Sequence, residues 1–331
     1  MKSYARIVAS GLLLAGGACS DPQTKAKITL PNCTEQVSGD LYIGDMMPFA
    51  GNELLFESVD GAIQLAVTEI NAGGGVHGKT LGILKCDDQG SPNTGLTVMT
   101  DLATVSGLGG VVGAPLTSTA LAIVPKLNDL KKPLITPGAT APALSGTSPF
   151  FFRSVASDAL QGVVLAHLAH REGYNKVFVA YRNDAYGSGL QTTFQTSFEG
   201  LGGTVASLAY DPTVNFTSAV IAAAHTAAAD AIFPVSYPTD GKAIITSAST
   251  ESWTPALQWL FADSLYDATL PTALGSAASA IEGSHGTVPS SPSGAAYTGF
   301  ASRFQAAYNG QPGAFSANAY DAVYALAIAM Q

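Results

Sequence analysis

Two hydrophobic periods take turns along the chain. Residues 40–45 form a short, mostly apolar run that ends at a proline-containing loop, which predicts a strand. Val59, Ile63, Ala66, Val67 and Ile70 recur at three- and four-residue spacing and predict a helix over 58–70, stopped by the glycines at 73–75, which accept positive φ. The same alternation continues downstream. Strands are predicted at 81–85, 110–113, 133–136, 150–153, 176–181, 204–210, 231–235 and 257–261. Helices are predicted at 94–105, 120–130, 159–172, 187–200, 214–228 and 240–250. Strand and helix in turn predict parallel sheets of βα units. About ten strands exceed one comfortable open sheet, so two doubly wound sheets are expected. Ligands in such sheets bind beyond the carboxyl ends of the strands, which makes the loops directly after strands the informative ones.

The first residues break this pattern. Lys2 and Arg6 precede an apolar stretch at 7–15, followed by Gly16, Gly17, Ala18 and Cys19. The stretch is too short to span a bilayer and has the layout of an export signal, so residues 1–18 are expected to be a signal peptide. Cys19 after small residues resembles the lipobox of bacterial lipoproteins, in which the cysteine becomes the lipidated N-terminus. Gly16 stands where that motif favours Leu, and ordinary cleavage is the alternative. Residues 19–37 would then be lipid anchor and tether. With Cys19 acylated, Cys33 and Cys86 remain in an oxidising compartment, and a disulfide between them is expected; two separate buried thiols are the alternative.

Composition narrows the function. Of 331 residues 47% are apolar and 12% charged, enough for a sizeable core and inconsistent with a disordered chain. Lys and Arg number 15 against 24 Asp and Glu, a net charge of −9, which becomes −11 when Lys2 and Arg6 leave with the signal. With no basic cluster to offset it, this balance argues against nucleic acid and against anionic membrane surfaces as partners.

One motif misleads. Residues 73–80, GGGVHGKT, fit the phosphate-cradling pattern G-x-x-x-x-G-K-[ST]. That loop needs a strand before it and a helix after it, whose amides face the phosphates. Here a helix precedes and a strand follows, so the segment reads as a glycine-rich turn. His167 and His170 share a helix face without a third ligand, and no metal site is expected. No nucleophile–base arrangement is visible, and neither an enzyme nor a cofactor is expected.

The post-strand loops carry the remaining signal. Thr117, Ser118 and Thr119 follow the strand at 110–113 and lead into a helix, where hydroxyls cap and free amides attract an anion. Residues 137–142 (PGATAP) combine two prolines with Gly138 and Thr140. Asp184 and Tyr186, then Ser236 and Tyr237, then Asp263 and Ser264 follow three further strands.

These segments bear a family resemblance. EINAGGGVHGKTLGILKCDD (69–88) resembles the I-N-x-x-G-G-(I/V)-x-G stretch and following strand of type I periplasmic binding proteins. GAPLTSTA (113–120), ITPGATAP (135–142), NDAYGSGL (183–190) and NAYDAVYALA (318–327) continue it in order. Over residues 38–331 the chain is similar to the branched-chain amino-acid binding proteins of ABC importers, whose relatives also bind amides, urea and aromatic acids. The resemblance implies an α/β fold of two lobes, each a doubly wound parallel sheet sandwiched by helices, with the ligand cleft between them. Lobe one would be 38–155 plus 289–331, and lobe two 156–288. The family's last crossing and terminal strands are not found, so the sequence is expected to be part of a longer protein.

The resemblance also implies roles. Thr117, with Ser118 beside it, matches the loop that holds the ligand carboxylate. Gly138 and Thr140 match the loop whose carbonyl and hydroxyl meet the ammonium. Tyr186 and Tyr237 match residues that close over the ligand. Asp263 matches the acid that pairs with the ammonium, although branched-chain binders carry Glu there. Phe315 matches a wall of the side-chain pocket, and Leu54 stands near a first-loop Tyr of the family. The implied protein is a monomeric, lipid-anchored periplasmic receptor that captures an amino acid or amide and delivers it to an ABC permease. A sensor on the same fold without a transporter is the alternative.

Overall fold

The computed structural model describes residues 27–254, 257–267, 269–289 and 293–331, without the side chains of 51–56. The expected signal peptide, Cys19 and the side chain of Leu54 lie outside this description. In chain order the first part holds β1 (Cys33–Val37), β2 (Leu41–Met47), α1 (Phe49–Ala72), β3 (Leu81–Asp87), α2 (Pro92–Ala103), β4 (Leu108–Gly113), α3 (Thr117–Leu130), β5 (Leu134–Thr136) and β6 (Phe151–Arg153). The second holds α4 (Asp158–Arg171), β7 (Lys176–Arg182), α5 (Ala185–Gly200), β8 (Thr204–Tyr210), α6 (Thr217–Ala227), β9 (Ala231–Val235), α7 (Pro238–Ala248), β10 (Gln258–Phe261), α8 (Leu270–Leu274) and β11 (His285–Gly286). Two more helices, α9 (Ala295–Tyr308) and α10 (Ser316–Ala329), end the described chain.

The strands form two sheets, in the orders β1-β3-β2-β4-β5-β6 and β11-β10-β9-β7-β8. Apart from β1, every described pairing is parallel. Counted from β2 and from β7, both sheets repeat one doubly wound order, with the first strand between the second and third. The order reverses beside β4 in one sheet and β9 in the other, and the crevice opens at those points. Helices cover both faces of each sheet, so β2 and β9 are buried along nearly their whole length and read as continuous apolar runs. Apolar clusters lie on each side: α2 and α3 against one face of the first sheet, α1 and α10 against the other. Clusters built from α6 and α7, and from α4 and α5, sandwich the second.

The structure departs from the sequence expectation in places. Residues 33–37, expected in the tether, form the edge strand β1, antiparallel to β3. Cys33 and Cys86 lie opposite each other in that pair, 4.0 Å apart at Cα, and are joined by a disulfide. Helix α1 begins at Phe49 rather than near residue 58: the apolar spacing runs back through Phe56 and Leu55, and Gly51 and Asn52, poor helix formers, hide the turn before them. Helix α9, β11 and α8 carried too few periodic apolar positions to be expected; α9 buries only Phe300 and Phe304, against Ala62 and Leu65 of α1.

Residues 73–80 are a tight helix-to-strand turn. Gly75 sits at φ 72°, and a Cβ there would lie 2.1 Å from the Lys79 carbonyl oxygen. Gly113 ends β4 at φ 144°, where a Cβ would meet the Met46 carbonyl oxygen at 2.2 Å. Only glycine therefore lets β4 lie this close to β2 at the carboxyl edge.

Beneath α1 the first sheet buries acid. Asp45 of β2 is 0% exposed and Asp60 of α1 is 7% exposed. Lys85 of β3 pairs with Asp60 at 2.6 Å and lies under the Phe49 ring at 4.0 Å. Neither oxygen of Asp45 nor Oδ1 of Asp60 meets a donor, and one proton kept on Asp45 satisfies the contact. Burial, then the negative charge of Asp60, pushes the Asp45 carboxyl well above the usual carboxylate range. A carboxyl whose folded pKa is raised binds a proton that the unfolded chain has released, so stability falls as pH rises above the unfolded value of about 4. Asp45→Asn keeps the shape and supplies a permanent donor. It is expected to raise the midpoint of thermal unfolding at pH 8 by a few degrees and to flatten its decline between about pH 5 and 8; differential scanning calorimetry across that range checks this.

Candidate ligand-binding cleft

Loops from the carboxyl ends of both sheets converge on one small cavity of about 20 Å³. From the first sheet come Pro115, Leu116 and Thr117 after β4 and Gly138 after β5; from the second come Tyr186, Tyr237, Asp263 and Ser264. Phe315, which precedes α10, completes the wall. This space holds about one water, so a larger ligand requires the two sheets to separate. A groove of about 770 Å³ runs alongside and shares Asp263 and Phe315 with the cavity.

Local sequence sets each position. Helix α3 starts at Thr117 behind Leu116, which has no side chain to cap the first amides, so the positive end of the helix stays available to an anion. Thr136 Oγ1 donates to the Ala114 carbonyl at 2.7 Å and accepts from the Ala139 amide at 3.0 Å, which ties the loop after β5 to the loop after β4. Asp184 caps α5 through the Gly187 amide at 2.8 Å and so fixes the turn that carries Tyr186. Phe315 sits at φ 65°, a left-handed conformation that bulky residues rarely adopt.

The second-sheet side is a connected network. Tyr186 and Tyr237 stack with centroids 5.4 Å apart, and the Arg182 guanidinium lies 4.7 Å over the Tyr237 ring. Arg182 is held by Asp240 at 3.1 Å and Asp184 at 3.2 Å. The Tyr186 hydroxyl shares its one proton between Ser264 Oγ at 2.8 Å and Asp263 Oδ1 at 3.2 Å, while Ser264 Oγ donates to the Ser236 carbonyl at 2.7 Å.

Asp263 stands directly after β10, is 3% exposed and lines the cavity. Burial pushes its carboxyl above the usual range, while hydrogen bonds from Gln161, Tyr186 and nearby backbone amides oppose the shift. Among the described residues no Lys, Arg or His lies within ion-pairing distance of it. A buried carboxylate without a counter-ion at the mouth of a cavity is costly unless something cationic arrives.

Six of the residues singled out in the sequence, Thr117, Gly138, Tyr186, Tyr237, Asp263 and Phe315, line this cavity. Ser118 and Thr140 do not: Ser118 is the second residue of α3 and half-buried, and the Thr140 hydroxyl is turned to Asp158 at 2.8 Å. Leu116 and Asp158 carried no signal in the sequence. Ser264 was marked only by its place beside Asp263, and Asp158 read as an ordinary helix start.

The family model described as Periplasmic binding protein matches residues 44–331. The chain belongs to that family. Its fold is that of type I periplasmic binding proteins: the leucine binding protein LivK of Thermotoga maritima superimposes with TM-score 0.79 at 24% identity, covering 88% of this chain and 82% of that one. A solute binding protein of Rhodopseudomonas palustris in complex with 3,4-dihydroxybenzoic acid gives 0.75 at 20% identity over 88% and 80%. Among curated proteins, Leu/Ile/Val-binding protein homolog 3 of Brucella melitensis is 27% identical over 208 residues, 61% of this chain and 56% of that protein. The chain thus spans about half the length of such relatives, which are named as binding proteins.

Tyr186→Phe in this periplasmic binding protein removes a hydroxyl shared between Ser264 and Asp263. The loss is expected to destabilise the fold by about 1–3 kcal/mol, the scale of a lost buried hydrogen bond, as read by urea unfolding at pH 7.

Proposed function

We propose that this protein is the solute-binding component of an ABC importer and captures an amino acid of the branched-chain class in the periplasm. The observation that carries the reading is Asp263, a buried cleft carboxylate with no counter-ion among the described residues. A zwitterion supplies what the cleft lacks. Its ammonium meets Asp263, its carboxylate meets the free amides at the start of α3 by Thr117, and its side chain lies against Leu116, Tyr237 and Phe315. Both charges are then paired inside a closed space, where an unpaired one costs several kcal/mol. Separation of the two lobes, residues 38–155 plus 289–331 and 156–288, admits the ligand, and closure adds contacts that only the closed state makes. The names of the curated relatives support this ligand class. A bound aromatic acid, as in the R. palustris protein, fits less well, because it brings a carboxylate for the α3 amides but no cation for Asp263.

L-leucine titrated calorimetrically into the wild-type protein is expected to bind with a Kd on the order of 1 μM, about −8 kcal/mol. Asp263→Asn keeps size and hydrogen bonding but removes the charge, and should cost about 2–4 kcal/mol of binding. A variant that binds leucine within threefold of wild type removes Asp263 as the ammonium partner. An uncharged amide that binds both proteins equally well would place the ligand in another class.

Lipid on Cys19 anchors the protein at the membrane in this reading. Cys19→Ala is expected to abolish incorporation of labelled palmitate and to move the protein to the soluble periplasmic fraction. Labelling that persists in the variant contradicts the anchor.

A further inference from the structure

Behind Asp263, outside the lining of the cavity, the fold buries a second carboxylate. Asp158, the first residue of α4, is 0% exposed. It does not cap its own helix, because Ser157 Oγ accepts from the Ala159 amide at 3.3 Å. Instead its Oδ2 accepts from Thr140 Oγ1 at 2.8 Å, while its backbone amide donates to the Thr140 carbonyl at 2.9 Å. Its Oδ1 is buried without any hydrogen-bond partner. The nearby Arg153 guanidinium donates to the carbonyls of Thr140 and Ala141 at 3.0 and 3.2 Å and makes no ion pair with Asp158. Asp158 and Asp263 are thus both buried, and Asp158 feels the negative charge of Asp263; Arg153 offsets part of it from a distance, but among the described residues neither carboxyl has an ion-pair partner.

The Thr140 hydroxyl proton is spent on Asp158, so its oxygen offers lone pairs only. Such a group meets an N–H donor and repels a carboxylate. We propose that Asp158 is a positioning and specificity-determining residue of the cleft: it holds the Thr140 hydroxyl as an acceptor and adds a negative charge beside Asp263, so that this end takes a cationic nitrogen. This inference rests on the amino-acid reading above and extends it.

The groups facing Asp158 are Asp263 beyond β10, Arg153 on β6 and Tyr186 on α5. Burial first, then the charge of Asp263, pushes the Asp158 carboxyl up to about 7, against Thr140 and Arg153, which lower it. In the free protein near pH 7 it is thus partly protonated. An arriving ammonium favours the carboxylate, and the carboxyl proton passes to the buffer. Affinity is therefore expected to fall as pH falls from about 8 to 6.

The test is calorimetric titration of L-leucine into the full chain, in phosphate and in Tris at pH 7, and again at pH 6 and pH 8. Wild type is expected to show a buffer-dependent heat that reports proton release, with a several-fold tighter Kd at pH 8 than at pH 6. Asp158→Asn is expected to bind about tenfold or more weakly, with less proton release and a shallower pH profile, what remains coming from the raised carboxyl of Asp263. Thr140→Val should also weaken binding while proton release persists, and the double variant should lose little more than the weaker single one, because the two residues act as a unit. A folded Asp158→Asn protein with wild-type Kd and wild-type proton release overturns the role of Asp158 and leaves that of Asp263 standing. Thr140→Val with wild-type affinity overturns it as well, whether or not Asp158→Asn folds. A wild-type protein that binds no amino acid overturns both readings.

Discussion

A carboxylate buried without a cation is a debt within the fold, and at Asp263 the second sheet carries it at the point where both sheets open. Hydrogen bonds from Tyr186, Gln161 and local amides relieve part of the cost. They replace water as donors but bring no positive charge. Arg182, on the same side of the cleft, is committed to Asp184 and Asp240 and to the face of Tyr237. What remains is a site organised around a charge that has to come from outside.

The fold delivers that charge to a partner surface by repetition. Each sheet has the same strand order, so each presents its crevice at the equivalent place, beside β4 in one and β9 in the other. The first contributes uncapped amides at the start of α3, a positive end, and the second contributes Asp263, a negative end. A zwitterion is complementary to that pair of ends in a way that neither an anion nor a cation alone matches. The close approach of β4 to β2 at Gly113 and the tie between Thr136 and Ala114 set the first side before any ligand is present.

The sheets were legible because parallel strands buried on both faces leave unmistakable apolar runs, as at 176–182 and 231–235. The loops after them were legible for the same reason: once the strands are placed, the carboxyl ends follow, and Thr117, Tyr186, Tyr237 and Asp263 stand there. Less visible were features that depend on a distant partner. Strand β1 is short and half-buried, and only β3 and the Cys33–Cys86 link make it a strand. Thr140 looked free to face a ligand, because nothing in the local sequence reveals that Asp158, eighteen residues on and in the next unit of the fold, takes its proton. Asp45 sat inside an apolar run and gave no sign of the carboxylate from α1 that would meet it.

The most direct test of this account is a crystal structure of the protein with L-leucine bound. The account places the ligand nitrogen about 2.8 Å from a carboxylate oxygen of Asp263, with the ligand carboxylate at the first amides of α3. A structure in which the ligand's nitrogen lies elsewhere, and its carboxylate or side chain faces Asp263, would contradict it.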